Sequence, residues 1–347
     1  MVLRSTLEAL DAHQNGLLFI GSQGRGVLES ANVTTRRYWY RRSRFRIVTL
    51  FNYLLSQVLL YLALSRSQNI PSDATIFVNT LLPFSAMLWG RRTGRTVIVH
   101  VHEVSISPRP LRHLLTICAA RCADKLLYVS KDHLARLPIV GPPTEILYNP
   151  VSPALIEKSK AVQYVPRRTN AFEVLMLASL RGYKGINEFM DLANALNLHD
   201  DIHFTLILNA APEEVSAFKC RHGFLDNISV YSRMSDPSSF YAVADLVLNL
   251  SRPDQWIETF GLTVIEAMAF AVPVIVPPVG GPSEIVSHGV EGYCIDSRDF
   301  IALETAVLEL AHNPKKAIEM SQAAQARVSE FSFDTYAGKL SRILDEV

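Results

Sequence analysis

The sequence lacks the short motifs of several large enzyme classes. No Asp-x-Asp pair is present to carry a divalent cation against a diphosphate, and a Walker A loop and a Gly-x-Ser-x-Gly elbow are also absent. The four cysteines form neither a disulfide framework nor a paired Cys-x-x-Cys zinc pattern. These absences argue against a P-loop enzyme, an α/β-hydrolase and a zinc module.

Acidic residues are scarce in the first part of the chain. Residues 1–150 contain 18 Lys and Arg but only 8 Asp and Glu, whereas residues 151–347 contain 16 and 25. The net charges, +10 and −9, indicate that the two parts meet different partners. The length of 347 residues is typical of two domains, since one domain takes about 100 to 200 residues.

Apolar strands alternate with helices in both parts, which predicts parallel sheets covered on both faces. Residues 149–170 contain three prolines and little periodicity, so we predict a linker at 151–170 between domains at 1–150 and 171–347. The first residues carry acids and no long apolar run, unlike a secretory signal. We therefore expect a cytoplasmic location.

Residues 36–46, RRYWYRRSRFR, combine six arginines with four aromatic side chains. This composition suits an anionic membrane surface, although a solvated basic helix face or a nucleic-acid patch would look the same. We predict a patch that contacts membrane or acceptor. Its proposed residues are Arg36, Arg37, Trp39, Arg41 and Arg42.

An apolar run, Ile47 to Leu64, follows this patch. A membrane-spanning helix needs about 20 apolar residues, and Asn52, Ser56 and Gln57 interrupt this run. We therefore predict a buried or interfacial helix rather than a spanning one.

Two features of the first part could approach a ligand. The segment GSQGRG places Gly24 at a predicted strand-to-helix turn, where backbone can come close to a phosphate, but a plain flexible turn has the same sequence. His102 and Glu103 follow a predicted strand at its carboxyl end, where ligands of parallel sheets bind. His100 shares the face of His102 by the period of a strand, although a lone histidine is more often structural.

The stretch 254–292 has the pattern of a phosphate site. Gly261 to Thr263 begin a predicted helix, whose first N–H groups attract anions, and Glu258 and Glu266 lie on either side of this start. Taken alone, Glu266 could form a capping box with Thr263, and Glu258 could be a solvated loop acid. Upstream, Arg181 and Lys184 lie at a strand-to-helix turn and could converge on a diphosphate.

These segments resemble the retaining, GT-B-fold glycosyltransferases of the large family 4 class. The resemblance covers residues 172–295 and rests on SLRGYKG, YSRMSDPSSFYAVADLVLNLS, ETFGLTVIEAMAFAVPVIVPPVGGPSEIV and HGVEGY, in this order. It implies an α/β fold of two Rossmann-like domains with doubly wound parallel sheets that face each other across a cleft. The first domain would bind the acceptor, and the second would bind the donor.

The resemblance also implies roles for individual residues. Glu258 and His102 would lie at the donor sugar as catalytic residues, and Glu266 would bind the ribose. Arg233, where many relatives have glycine, and Met234 would line the base pocket. The residues that would contact the donor diphosphate are Arg181, Lys184, Gly261, Thr263 and Gly24.

The function implied by this resemblance is transfer of a hexose from a nucleotide diphosphate sugar to an acceptor hydroxyl with retention. Because Arg181, Lys184 and the helix start can balance the diphosphate charge, we expect no metal and no other cofactor. The basic first domain favours a lipid-linked acceptor of bacterial envelope polysaccharide synthesis. It also favours a peripheral position on the inner face of the membrane, with no nucleic-acid partner. A sugar-nucleotide epimerase with the same fold and a catalytically silent binding subunit remain alternatives.

Overall fold

The structure is a computed structural model that describes residues 2–10, 16–22, 33–67, 70–223 and 226–347. The chain divides into two compact units, Met1–Pro150 with Phe333–Val347, and Val151–Ser332. Gly24 of the predicted glycine-rich turn lies outside the described residues, so its role stays a prediction.

In the described ranges, the first part contains six strands and five α-helices. They are α1 (Val2–Leu10), β1 (Leu17–Ser22), β2 (Thr34–Trp39), α2 (Arg46–Ser65), β3 (Ile76–Asn79), α3 (Phe84–Arg92), β4 (Val97–Val101), α4 (Arg109–Cys122), β5 (Lys125–Tyr128), α5 (Lys131–Arg136) and β6 (Thr144–Ile146).

The rest of the chain, apart from residues 224 and 225, contains six strands and nine α-helices. They are α6 (Pro153–Ser159), β7 (Phe172–Ala178), α7 (Ile186–Ala195), β8 (Ile202–Leu208), α8 (Pro212–His222), β9 (Ile228–Tyr231), α9 (Ser238–Tyr241), β10 (Leu246–Leu248), α10 (Leu262–Ala269), β11 (Val274–Val276), α11 (Pro282–Ile285), β12 (Gly292–Cys294), α12 (Phe300–His312), α13 (Pro314–Arg327) and α14 (Phe333–Asp345).

The first unit contains a parallel sheet in the order β3-β4-β5-β6 and a separate parallel pair, β1-β2. All five residues of β4 are buried, as expected of a strand covered by helices on both faces. The register pairs Asn79 of β3 with His100 of β4. These two neighbouring strands therefore end at the same edge, where His102 follows β4.

The second unit contains one parallel sheet in the order β12-β11-β10-β7-β8-β9. The strands β7 to β9 follow one another toward one side of the sheet, and β10 to β12 follow one another toward the other. This is the doubly wound arrangement, in which the strand order reverses between β7 and β10. Its core lies where the helices pack on the apolar strands, with Phe172, Phe189 and Phe204 fully buried. The predicted parallel sheets are thus present in both units.

The predicted domain boundaries are wrong at the end of the chain. Helix α14 belongs to the first unit, because Tyr336, Leu340 and Ile343 pack against Ile98, Leu127 and Leu147. The Tyr336 hydroxyl also lies 2.7 Å from the Thr6 hydroxyl oxygen.

The predicted linker at 151–170 is also wrong, since these residues are part of the second unit. The Arg167 backbone N–H donates to the Asp245 carboxylate at 2.7 Å, and the Arg167 side chain donates to the Ala311 carbonyl. The Tyr164 hydroxyl donates to the Asp245 carbonyl. The segment therefore begins with helix α6 and continues as a stretch that is hydrogen-bonded to the second unit, rather than as a free connection.

Candidate active site

The candidate active site lies at the carboxyl ends of β7 and β10. These strands are neighbours in the sheet, and the strand order reverses between them. Loops that leave such a switch point diverge and open a crevice in which ligands of doubly wound sheets bind. Lys184 follows β7 and Glu258 follows β10, so the fold brings the two sequence-predicted residues to one place.

Lys184 and Glu258 form an ion pair, with the lysine Nζ 2.8 Å from the glutamate Oε2. Their side chains are 22% and 19% exposed, respectively, so water screens the pair only partly. The Ser251 hydroxyl donates to the same Oε2 at 2.7 Å, and the Asn249 amide donates to it at 3.3 Å. One carboxylate oxygen thus accepts hydrogen bonds from three side chains.

These contacts set the charge of Glu258. Burial raises the pKa of its carboxyl, but the charge of Lys184 and the hydrogen bonds from Lys184, Ser251 and Asn249 together lower the pKa below its usual range. Glu258 is therefore ionised at neutral pH. These three hydrogen bonds exclude the alternative that Glu258 is a fully solvated loop acid.

Gly185 allows the loop after β7 to approach the loop after β10. Its φ is +77°, and a Cβ at this position would lie 2.1 Å from the Leu250 carbonyl oxygen. The aromatic rings of Tyr183 and Trp256 also join the two loops, stacked with centroids 5.2 Å apart. Arg181 is exposed just before the turn, on the same loop as Lys184.

A second glycine close approach supports the loop that carries Glu258. Gly280 has a φ of +88°, and a Cβ there would lie 2.6 Å from the Glu258 carbonyl oxygen. The Gly281 N–H donates to that same carbonyl at 2.8 Å. The Gly-Gly turn seen in the sequence therefore holds the backbone of Glu258 in place.

Helix α10 begins beside this loop. Gly261 is its N-terminal capping residue, with a φ of +109°, and Thr263 lies in its first turn. The first N–H groups of a helix lack partners within the helix and carry positive partial charge. This helix start and Lys184 are therefore two positive features at the same sheet edge.

Glu266 bonds to another helix rather than to its own first turn. The Tyr241 hydroxyl donates to Glu266 Oε2 at 2.9 Å. The helix is capped at Gly261 without a side-chain bond, so the capping box between Thr263 and Glu266 is not formed. Burial raises the pKa of Glu266, and the bond from Tyr241 partly opposes that rise.

In the first unit, His102 is part of a cluster at the carboxyl ends of β3 and β4. His102 Nε2 donates to the Asn79 Oδ1 at 3.0 Å, and its ring lies 4.1 Å from that of His100. Burial, with a smaller contribution from the charge of His133, lowers the pKa of His102 to about 4. His102 is therefore neutral at physiological pH.

The same edge holds a strained backbone position. Thr80, a β-branched residue, has a φ of +79°, which is costly for such a side chain. The next residue, Leu81, donates its N–H to both oxygens of Glu103 at 3.0 and 3.1 Å. Strain of this kind is concentrated at functional sites, and the catalytic role of His102 at this edge stays a prediction.

The other predicted residues lie elsewhere in the fold. Arg233 is exposed and Met234 half-buried just after β9, at the carboxyl edge of the second-unit sheet, so their base-pocket role stays a prediction. Arg36, Arg37 and Trp39 lie on β2, which corrects the alternative of a basic helix face for this segment.

One group among the described residues has the composition of a metal site. Ligand atoms of His199, Asp201 and His312 lie within 4.8 Å of one another. Asp201 precedes β8 and lies at the amino edge of the sheet, opposite the edge that carries Lys184, and it pairs with Arg167 at 2.8 Å. This group therefore does not serve the candidate active site.

Sequence reasoning missed several residues of the site. Ser251 and Asn249 directly follow β10, and their position at a carboxyl strand end was a signal that could have found them. Asn79 ends β3 and carried the same signal. Tyr241 gave no such signal, because it lies on a helix and its partner Glu266 is 25 residues away.

Comparison with known proteins shows what the second unit is similar to. The model of the family "Glycosyl transferases group 1" matches residues 158–327, nearly the whole second unit. A sucrose synthase from Acidithiobacillus caldus is 45% identical over 91 residues, which cover 25% of this chain and 12% of that protein. A D-inositol 3-phosphate glycosyltransferase from Corynebacterium glutamicum is 26% identical over 222 residues, 61% of this chain and 52% of that protein. The matches thus span about half or less of these relatives.

A solved structure extends the likeness to the whole chain. HepE from Anabaena in complex with UDP is 19% identical and superposes with a TM-score of 0.78 over 99% of this chain and 95% of that chain. The same protein in complex with UDP-glucose gives a TM-score of 0.77. At this identity the likeness establishes the fold, which is the GT-B fold of two Rossmann-like domains. The family model thus matches the second unit, and the likeness of the whole chain to this structure concerns the fold.

Proposed function

We propose that the protein transfers a hexose from a nucleotide diphosphate sugar to an acceptor hydroxyl and retains the anomeric configuration. The observation that supports this most is the Lys184–Glu258 pair at the switch point of the second-unit sheet. A cation that is half-buried beside a helix start suits a diphosphate. An ionised carboxylate next to it suits a sugar that gains positive charge in the transition state.

In this proposal the donor lies along the carboxyl edge of the sheet. The diphosphate contacts Lys184, Arg181 and the N–H groups at Gly261 to Thr263. The ribose hydroxyls donate to Glu266, whose carboxylate is oriented by the Tyr241 hydroxyl. Glu258 lies at the sugar, and we assign His102 to the sugar and reaction centre by the family resemblance. Arg233 and Met234 line the base pocket.

The reaction needs no protein nucleophile. The bond from the anomeric carbon to the phosphate oxygen breaks, the acceptor oxygen forms its bond on the same face, and the acceptor proton passes to the departing phosphate oxygen. Charge grows on that phosphate, and Lys184 and Arg181 stabilise it. We propose that these cations make a metal ion unnecessary. Activity should then persist in EDTA, and loss in EDTA with recovery on adding Mn²⁺ would refute this.

The acceptor in this proposal is a lipid-linked or membrane-proximal glycan of bacterial envelope polysaccharide synthesis. The protein then works in the cytoplasm, peripherally on the inner face of the membrane. The support is the excess of basic residues in the first part of the chain, since the cytoplasmic leaflet is anionic.

The experiment is product analysis with UDP-, GDP-, ADP- and dTDP-hexoses, each with and without a bacterial membrane lipid extract. We expect one donor to be consumed only with the extract, to give a glycolipid with the donor's anomeric configuration. Glu258→Ala should abolish transfer while leaving circular dichroism unchanged. Conversion of the donor alone would favour an epimerase, and binding without turnover would favour a silent subunit.

A further inference from the structure

Helix α2 has its apolar side turned to solvent. Among its exposed side chains, Ile47 is 84%, Phe51 66% and Val58 56% exposed. The buried residues of the same helix include two polar ones, Ser56 and Gln57, besides Leu60 and Leu64. A helix on the surface of a globular protein normally shows the opposite arrangement.

The exposed apolar side chains form one continuous face. They recur at the three- and four-residue intervals that place side chains on one side of a helix. Their full set on α2 is Ile47, Val48, Phe51, Leu54, Leu55, Val58 and Leu62. The helix is also long and apolar enough to cross a membrane by length and composition alone. Contiguous exposed apolar surface of this kind marks a binding face.

Arginines flank one end of this face. Arg41, Arg42 and Arg44 are exposed in the segment that leads into α2, and Arg46 is exposed at its first turn. The sequence contains no Asp or Glu between Glu29 and Asp73. Trp39, exposed on β2, adds an aromatic ring of the type found at lipid headgroups. The surface thus combines an apolar face with arginines in a sequence segment that contains no acid.

We propose that this face of α2 docks on an anionic lipid surface. The helix lies in the plane of the interface, with Ile47, Phe51 and Val58 at the acyl boundary and the arginines at headgroup phosphates. This arrangement explains why the apolar side faces outward. The inference concerns attachment only and holds whether or not the proposed transfer reaction is correct.

The charges favour lipid over a second copy of this chain. Two copies that paired through this face would meet no acid of the segment between Glu29 and Asp73 to balance the arginines. An anionic leaflet attracts the same arginines.

The packing favours a helix that lies on the membrane over one that spans it. The Gln57 Oε1 accepts from the Ser85 hydroxyl at 3.2 Å, and the Tyr53 hydroxyl donates to the Leu82 carbonyl at 2.6 Å. Leu60 and Leu64 pack with Trp89 of α3. Crossing the bilayer would require these contacts of the first unit to break.

The test is flotation of the full-length protein with phosphatidylcholine vesicles, with and without phosphatidylglycerol. We expect binding only to the anionic vesicles and release as the ionic strength rises. Arg41→Ser with Arg42→Ser should weaken binding by about fivefold per arginine. Ile47→Ser with Phe51→Ser should weaken it at least about tenfold.

Matched controls use exposed apolar residues of the second unit. Leu198→Ser with Ile301→Ser should leave binding unchanged, since these side chains lie outside α2. Unchanged flotation of the Ile47/Phe51 variant, or equal binding to neutral vesicles, would overturn the proposal. A wild-type dimer that becomes a monomer in the Ile47/Phe51 variant would show that a second copy, rather than lipid, covers this face. Resistance to alkaline carbonate extraction would show a spanning helix.

Discussion

Replacing Glu258 by Gln is expected to strengthen UDP binding while it abolishes sugar transfer. In the free protein Glu258 partly neutralises Lys184 across 2.8 Å. A phosphate oxygen that binds the same Nζ at about 2.8 Å lies within about 5.6 Å of the carboxylate. The glutamate therefore repels the diphosphate that the lysine attracts.

The size of this repulsion follows from Coulomb's law. Two unit charges about 5.6 Å apart repel by about 3 kcal/mol at a dielectric constant of about 20 and by about 0.7 kcal/mol in bulk water. Because both side chains are about one-fifth exposed, we expect about 1 to 2 kcal/mol, or a 5- to 30-fold gain in UDP affinity. Transfer should fall by at least about 100-fold.

The assay is isothermal titration of UDP at fixed ionic strength, with Glu173→Gln as control. Glu173 lies at the amino end of β7, about 17 Å along the strand from its carboxyl end, beyond the screening length of about 8 Å at physiological salt. The control makes the same charge change and should alter UDP affinity less than about twofold. Weaker or unchanged UDP binding by Glu258→Gln, with the control unaltered, would refute the placement of the pair at the diphosphate.

Three further predictions follow from the packing and the protonation states. Gly185→Ala should lower the free energy of unfolding by more than about 3 kcal/mol in urea titrations, because its Cβ would meet the Leu250 carbonyl. Gly182→Ala is the control and should not lower it in this way, because the space around Gly182 is open. Tyr241→Phe removes a hydrogen bond that lowers the pKa of Glu266. The pKa of Glu266 should therefore rise, and UDP affinity should be lost at a higher pH as the solution is acidified. An unchanged pH dependence of UDP affinity would contradict this. The pKa of His102 is about 4 in the folded protein and about 6.5 in the unfolded chain. The free energy of unfolding should therefore fall as the pH drops between these values, and His102→Gln should reduce that fall.

Local patterns predicted the strands of the second unit well. The continuous apolar runs FEVLMLA at 172–178 and IHFTLIL at 202–208 are typical of strands, and β7 and β8 occupy these same residues. A strand that is buried on both faces reads as a continuous apolar run, so the sequence signal is strong. The pair of Lys184 and Glu258 was predictable for a related reason, since both follow such strands at their carboxyl ends.

Long-range packing escaped prediction. Nothing in the sequence of α14 distinguishes packing on the second unit from packing on Ile98 and Leu127 of the first, because its apolar stripe fits either. The same limit applies to Tyr241, whose hydroxyl orients Glu266 from a different helix. Residues 36–39 form a strand because they pair with β1, a partner that composition alone does not reveal.

In the proposed function, Lys184 contacts the diphosphate of a nucleotide sugar. The most direct test is titration of Lys184→Met with UDP, GDP, ADP and dTDP, beside the wild type and Lys315→Met, which alters an exposed ion pair on α13. We predict that the wild type and Lys315→Met bind at least one of these nucleotides equally. Lys184→Met should bind it at least about tenfold more weakly. Equal affinity of the three proteins, or no binding by the wild type, would contradict the account.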